Sequence, residues 1–288
     1  MNNSLPISAR PWLAAWTLCQ RELVRFFRQP NRVFGAIGQP LIFWLLFGAG
    51  LSSSFRLNDA GQINGAGQLI NAAESGPSYS EYFFPGTVVL IVLFTAIFAT
   101  ISIIEDRREG FLQTVLISPA PRWSMVLGKV LGGTIIALIQ AALFLILGLT
   151  IGIHFSPLML LAIVGWLFLI ALALTTLGFV IAWRMDSTQG FHAIMSVFLM
   201  PMWLLSGAFF PAGDNPLGWI VRLNPLTYGV AGLRRLLYWD ASEAVRAVKL
   251  SPDLPAAWLC CVVTVGFALL MFAAAWKISE QRTTGDLL

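Results

Sequence analysis

Long apolar stretches alternate with short polar ones along most of this chain, and the apolar stretches exceed the roughly 18 residues that a membrane-crossing helix requires. The pattern predicts spans at residues 33–51, 83–104, 124–153, 158–183, 191–210 and 255–276. Before the first lies a mixed segment, residues 1–32. Arg10, Arg21, Arg25, Arg28 and Arg32 are interleaved there with Trp12, Leu13, Trp16, Leu23, Phe26 and Phe27, and Glu22 is the one acid. That spacing predicts an amphipathic helix, either lying at the membrane interface or packed against the protein's own spans, with Pro30 at its end. Residues 52–82 form a polar connection rich in Gly, Ser and Asn. Very short polar turns, around 154–157 and 184–187, separate the middle spans. Pro201 interrupts the fifth.

Two connections are unusual. Between the second and third spans, Glu105, Asp106, Arg107, Arg108 and Glu109 lead through Gly110 into Phe111 with Val115 and Leu112 with Leu116, at helical spacing. Pro119 and Pro121 then end any helix. A short amphipathic helix over residues 105–118 is predicted, able to lie on the membrane surface or to plug into a soluble partner. An ordinary charged loop that orients two spans is the plainer reading. Residues 211–254 are too long for a turn and too apolar for a free loop. Asn224-Pro225 is a helix start, with asparagine as cap and proline in the first turn. Two short helices are expected, dipping into the membrane edge or lying flat as a cap, with Trp219, Tyr228, Tyr238 and Trp239 at headgroup level.

Composition fixes the class. Of the 288 residues 57% are hydrophobic and 11% charged, against about 25% charged in soluble domains. The fold class expected is all-α, a polytopic membrane protein with six transmembrane helices. The net charge of +4 would point to nucleic acid in a soluble protein. Here the basic residues crowd the ends of spans, so no nucleic-acid partner is expected. Six spans put both termini on one face. Assigning that face to the cytoplasm leaves twelve of the eighteen Lys and Arg inside, as the positive-inside rule requires. The N-terminal segment has no short apolar region with a cleavage site, so no cleavable signal is expected.

Candidate chemistry is sparse. Acids at mid-span, which mark proton or ion relays, are missing, and so are the Ser/His or His/Glu pairings of an intramembrane protease. Cys19, Cys260 and Cys261 show no metal spacing, and His154 and His192 stand alone. Gly128-Lys129 is followed by Val130, and the leading glycine of a phosphate-binding loop would fall at Trp123. An ATPase site is therefore not expected. Gly128-x-x-x-Gly132 and Gly148-x-x-x-Gly152 have the small-residue spacing that lets helices approach closely.

The run E-D-R-R-E-G-F-L-Q-T-V-L-I-S-P, with Gly128-Lys129 beyond it, closely resembles the signature of the ABC-2 family, the permeases of ABC exporters. A second segment agrees: Leu205 to Pro211, then Leu223-Asn224-Pro225-Leu226-Thr227-Tyr228, then Gly232-Leu233-Arg234. Gln113 stands where relatives often carry glutamate. The resemblance covers nearly the whole chain and implies an ABC-2 transmembrane domain over residues 1–288. Residues 105–118 would be a cytoplasmic coupling helix, with Glu105, Asp106, Arg107, Arg108, Glu109, Gly110, Phe111, Leu112, Leu116 and Pro119 carrying contact to a separate ATP-binding subunit in two copies. ATP and Mg would be bound by that subunit, and no cofactor by this chain. Residues 211–254 would be an external re-entrant segment, with Phe209, Phe210, Pro211, Asn224, Pro225, Thr227 and Tyr228 at an outer gate. A homodimer, or a heterodimer with a second permease, is implied, with a path lined mainly by the second and fifth spans. Membrane lipids would be further partners. The location implied is a bacterial cytoplasmic (inner) membrane with both termini cytoplasmic. The function implied is export of a drug-like compound, lipid or lipid-linked glycan. The other reading is an assembly or anchoring subunit that docks a soluble partner without transport. Phe83, Phe84, Phe94, Phe98, Phe198 and Trp203 suit an apolar cargo path, or plain helix packing.

Overall fold

The computed structural model describes residues 10–59, 79–209, 216–243, 245–246, 250 and 254–281. Within these, every regular element is helical. Five helical stretches are long and apolar enough to cross a membrane: Tyr79–Arg108, Arg122–Ile151, Pro157–Trp183, Thr188–Ala208 and Ala257–Glu280. This is a multi-pass membrane protein.

Helix α1 is Pro11–Phe27 and α2 is Pro30–Asp59. Pro30 begins α2 rather than merely ending α1, because proline fits the first helical turn, where its missing N–H leaves no bond unmade. α2 runs past the expected end at Leu51 to Asp59. Between Leu51 and Asp59 there is no glycine or proline to stop it. Its apolar part is shorter than that of the five spans, Val33–Gly48.

Helix α3, Tyr79–Ala99, is the centre of the bundle. Its residues are apolar on every side, as a wholly interior helix requires. The apolar stretch of the span it begins is 89% buried, against 17% for α11, Ala257–Glu280. α6, Arg122–Leu145, and α7, Pro157–Trp183, close around α3. Small residues set the spacing: a Cβ on Gly133 would lie 2.7 Å from Thr175, and one on Gly178 would lie 2.8 Å from Thr100. Inside this apolar packing the hydroxyls of Thr87, Thr134, Thr175 and Thr176 donate to carbonyls one turn back in their own helices. Thr95 bonds Gln140 across α3 and α6. Buried polar groups in a span must find such partners.

α8, Thr188–Trp203, buries one stripe (Phe191, Met195, Leu199, Trp203) and exposes most of the residues between, among them Ile194, Val197 and Phe198. A π-helical turn, Leu204–Ala208, follows it, with Gly207 at φ +70°. Then come α9, Pro216–Leu223, and α10, Pro225–Leu237, which packs on α7 and α11. Phe210 and Pro211 lie outside the described residues.

Two expectations are corrected. Residues 105–118 are two helices, not one: α4, Ile101–Arg108, extends the α3 span after a break at Thr100, and α5, Phe111–Ile117, follows. Gly110 separates them at φ +76°, a left-handed conformation that glycine adopts without steric penalty. Nor does α3 line an open face. Phe83, Phe84 and Trp203 are fully buried packing residues, and Phe198 on α8 is the exposed aromatic of that set.

Candidate functional site

The end of the bundle at α4 and α5 carries a dense cluster of charge, assembled from three distant parts of the chain. α1 lies across α6 over two glycines. A Cβ on Gly128 would come within 2.5 Å of the Ala15 carbonyl oxygen, and one on Gly132 within 2.7 Å of Glu22 Cβ. The first of the two small-residue spacings is thus a docking groove for α1. The second is not: Gly152 caps a 3-10 turn, Ile146–Ile151, at φ +82°.

That close approach brings Glu22 onto α6, where Lys129 Nζ reaches Glu22 Oε1 at 2.6 Å. Lys129 also pairs with Asp106, which has no exposed surface. Arg21 donates to Asp106 Oδ1 at 2.7 Å and Oδ2 at 3.0 Å, a two-pronged contact. Arg25 reaches Asp106 at 2.6 Å, Glu105 at 2.8 Å and Glu109 at 3.3 Å. Burial alone would lower the Arg21 pKa. Its hydrogen bond to Asp106, with the charges of Asp106, Glu22 and Glu109, holds it above its ordinary value. Arg21 also lays its guanidinium on the Phe111 ring, 3.7 Å from the centroid. One side chain therefore bridges α1 to both α4 and α5.

The other predicted residues divide by direction. Arg107 donates to the carbonyls of Trp183 (2.6 Å) and Met185 (3.0 Å), closing the C-terminus of α7, where helix carbonyls lack partners. Arg108 Nε bonds the Asp186 carbonyl at 3.2 Å. Leu112 is buried in the core, and Phe111, Val115 and Leu116 pack against it. Ser118 Oγ closes α5 on the Val115 carbonyl. Facing outward are Arg108, Glu109, Thr114, Pro119 and Ile117, the last 85% exposed. Most of the predicted charged head is thus satisfied within the chain. What remains exposed is a small mixed surface centred on Ile117.

The opposite end of α3 meets the turn that leaves α8. Trp203 Nε1 donates to the Gly86 carbonyl at 2.9 Å, and Gly86 has room only for hydrogen beside Ala208. The Gly207 carbonyl accepts from Tyr82 Oη at 3.2 Å and Arg234 at 3.3 Å, and Tyr79 Oη reaches the Phe209 carbonyl at 3.4 Å. Phe209 packs edge-on against Phe47, at 4.9 Å, and Phe83. Asn224 caps α10 by accepting from Leu226 N and donates to the Met202 carbonyl. Pro225 occupies the first turn, Thr227 bonds the Val221 carbonyl and Tyr228 the Arg222 carbonyl. Glu22, Lys129 and Arg234 stand in the sequence reading without a site role, as do Arg21, Arg25, Tyr79 and Tyr82, and the structure places all of them at these two ends. Among the described residues no cluster of His, Cys, Asp and Glu could hold a metal ion.

Comparison with known proteins follows the same span. The family described as ABC-2 type transporter matches residues 14–238. A protein of Cyanophora paradoxa named as a transport permease, ycf38, is 27% identical over 227 residues, covering 77% of this chain and 73% of its own. DrrB1 of Streptomyces coeruleorubidus, named a daunorubicin resistance ABC transporter permease protein, is 22% identical over 250 residues, 82% of this chain and 80% of that one. YbhR of Escherichia coli strain K12, named as a multidrug ABC transporter permease, is 28% identical over 170 residues, 57% of this chain and 45% of that protein.

Proposed function

The chain belongs to the ABC-2 type transporter family, and on that premise we propose that it is the permease of an exporter that moves an amphiphilic or hydrophobic cargo out of the cytoplasm. Members of the family are membrane subunits without an ATPase site and work with a separate ATP-binding subunit. The observation that carries the coupling role is the foot formed by α4 and α5. Seven charged side chains from α1, α4, α6 and the residue after α4 hold it to the bundle, while Ile117, Thr114 and Arg108 point away. An apolar residue this exposed beside charge is what a docking surface needs. A push on that surface would pass into the core through Leu112, a switch of the rigid-body kind.

In this reading α2 is a sixth span, with both termini in the cytoplasm of a bacterial inner membrane. The one-sided burial of α2 supports it: Trp44 packs on Phe84 and Phe144, while Phe34, Ile42, Leu45 and Leu46 are exposed. The exposed face of α8, with Ile194, Val197 and Phe198, would meet a second permease. A drug-like cargo is favoured by the names of two relatives.

The test is ATP-dependent cargo uptake into inverted vesicles that carry the permease with its ATP-binding subunit. Ile117→Asp and Arg108→Glu change exposed residues, so folding should be unchanged and uptake and cargo-stimulated ATP hydrolysis lost together. Unchanged stimulation in the double variant would remove the foot from the mechanism. Intact docking and ATP hydrolysis in the wild type, with no cargo moved, would favour the anchoring role instead.

A further inference from the structure

We propose that a groove beside α10, remote from the foot, binds an anionic phospholipid of the adjoining leaflet. The groove is about 310 Å3 and lies between α7, α10 and the start of α11, walled by Trp166, Gly232, Arg235, Trp239, Arg246 and Cys261. Its floor is held in place from several directions. Trp166 Nε1 donates to the Gly229 carbonyl at 2.9 Å, and its ring fills the space that a Cβ on Gly232 would need, 2.2 Å away. Arg235 is pinned by bonds to the carbonyls of Leu254 (3.1 Å) and Pro255 (3.0 Å). A site so held needs little rearrangement to admit a ligand.

Two features of the groove point to the same ligand chemistry. It is lined mostly by apolar side chains, yet it contains two arginines, and neither is paired with a carboxylate among the described residues. Arg246 spends only its Nε, on the Ala241 carbonyl at 2.9 Å, which leaves its two terminal nitrogens directed elsewhere. A guanidinium with free donors matches a phosphate in shape and charge. The second feature is position. Trp258 and Val262 on α11, next to the groove, are exposed and apolar, so this side of the bundle faces hydrocarbon. Trp239, half exposed, stands at the mouth, where tryptophan prefers the headgroup layer. Acyl chain below and phosphate above is the arrangement of a membrane lipid, and two guanidiniums without a carboxylate partner among the described residues favour an anionic headgroup. A zwitterionic lipid would bring its own cation against the two arginines.

Cys261, exposed on the groove wall, is a built-in reporter. In a chain carrying Cys19→Ser and Cys260→Ser, purified in detergent, the rate of Cys261 labelling by a maleimide is measured with added phosphatidylglycerol, phosphatidylcholine or inorganic phosphate. Phosphatidylglycerol should slow labelling several-fold and the other two should not. Arg246→Gln, an exposed change that leaves the fold intact, should remove most of the protection. Equal protection by phosphatidylcholine would show an apolar groove without charge selection and overturn the proposal. So would protection by phosphate alone, protection that survives the joint replacement of Arg235 and Arg246 by glutamine, or no protection at all.

Discussion

The two ends of the α3 span are anchored by opposite chemistries. At the foot, Asp106 is held by three bases, and those bases share their charge with Glu22, Glu105 and Glu109. At the other end, Tyr79, Tyr82, Arg234 and Trp203 each donate to backbone carbonyls near the turn after α8 or the start of α3. Buried charges need one another, because stranding one is strongly unfavourable. A carbonyl that loses one donor loses only one bond. The foot should therefore act as a single cooperative unit, while the end at the turn after α8 can exchange contacts one at a time. That difference sets a rigid end of the span against an adjustable one.

Asp106→Asn is the strongest way to break the contrast. It leaves Lys129, Arg21 and Arg25 facing each other without their shared acid, and should cost about 3–5 kcal/mol, read as a fall in the thermal unfolding midpoint in detergent. Adding Lys129→Met should recover little, because it takes away the 2.6 Å partner of buried Glu22 and strands that acid in turn. A loss under about 1 kcal/mol for the single change would mean that the cluster is not cooperative. Next in size is Gly128→Ala. Its new methyl would press on the Ala15 carbonyl and should cost about 1–3 kcal/mol, with α1 becoming open to protease while the rest resists. The end at the turn after α8 should give smaller effects. Asn224→Ala removes a cap for about 1 kcal/mol, and Tyr82→Phe removes the hydroxyl that donates to the Gly207 carbonyl, for about 0.5–1.5 kcal/mol per bond lost, in the same unfolding measurement. Should Tyr82→Phe rival Asp106→Asn, the two ends are not different in kind.

Much of this was legible in the chain. The central spans follow from unbroken apolar runs, because a helix surrounded by hydrocarbon or by other helices needs no polar face. Asn224-Pro225 announced the start of α10, since a cap and its proline act within one turn. The break at Gly110 is written in the residue itself, yet the apolar spacing from Phe111 to Leu116 also fits one continuous helix. What local pattern does not carry is the pairing of Glu22 with Lys129, which are 107 residues apart. A lone acid among five arginines and a lone lysine inside an apolar run were the available signals. Only tertiary packing over Gly128 and Gly132 says that they meet. The same holds for the charged head at 105–109: its composition advertises an exposed surface, whereas most of it turns inward to α1.

Arg21, touching Asp106 on one side and Phe111 on the other, gives the foot a mechanical property that neither short helix has by itself. The peptide at Gly110 is a pivot, and a pivot alone would let α5 tilt without moving its neighbour. With Arg21 as a strut across it, two linkages run in parallel, one covalent and one ionic, and parallel linkages are stiffer than either member. Displacement of α5 would then carry α1 with it, so the two move as one lever as wide as α1 and the foot together.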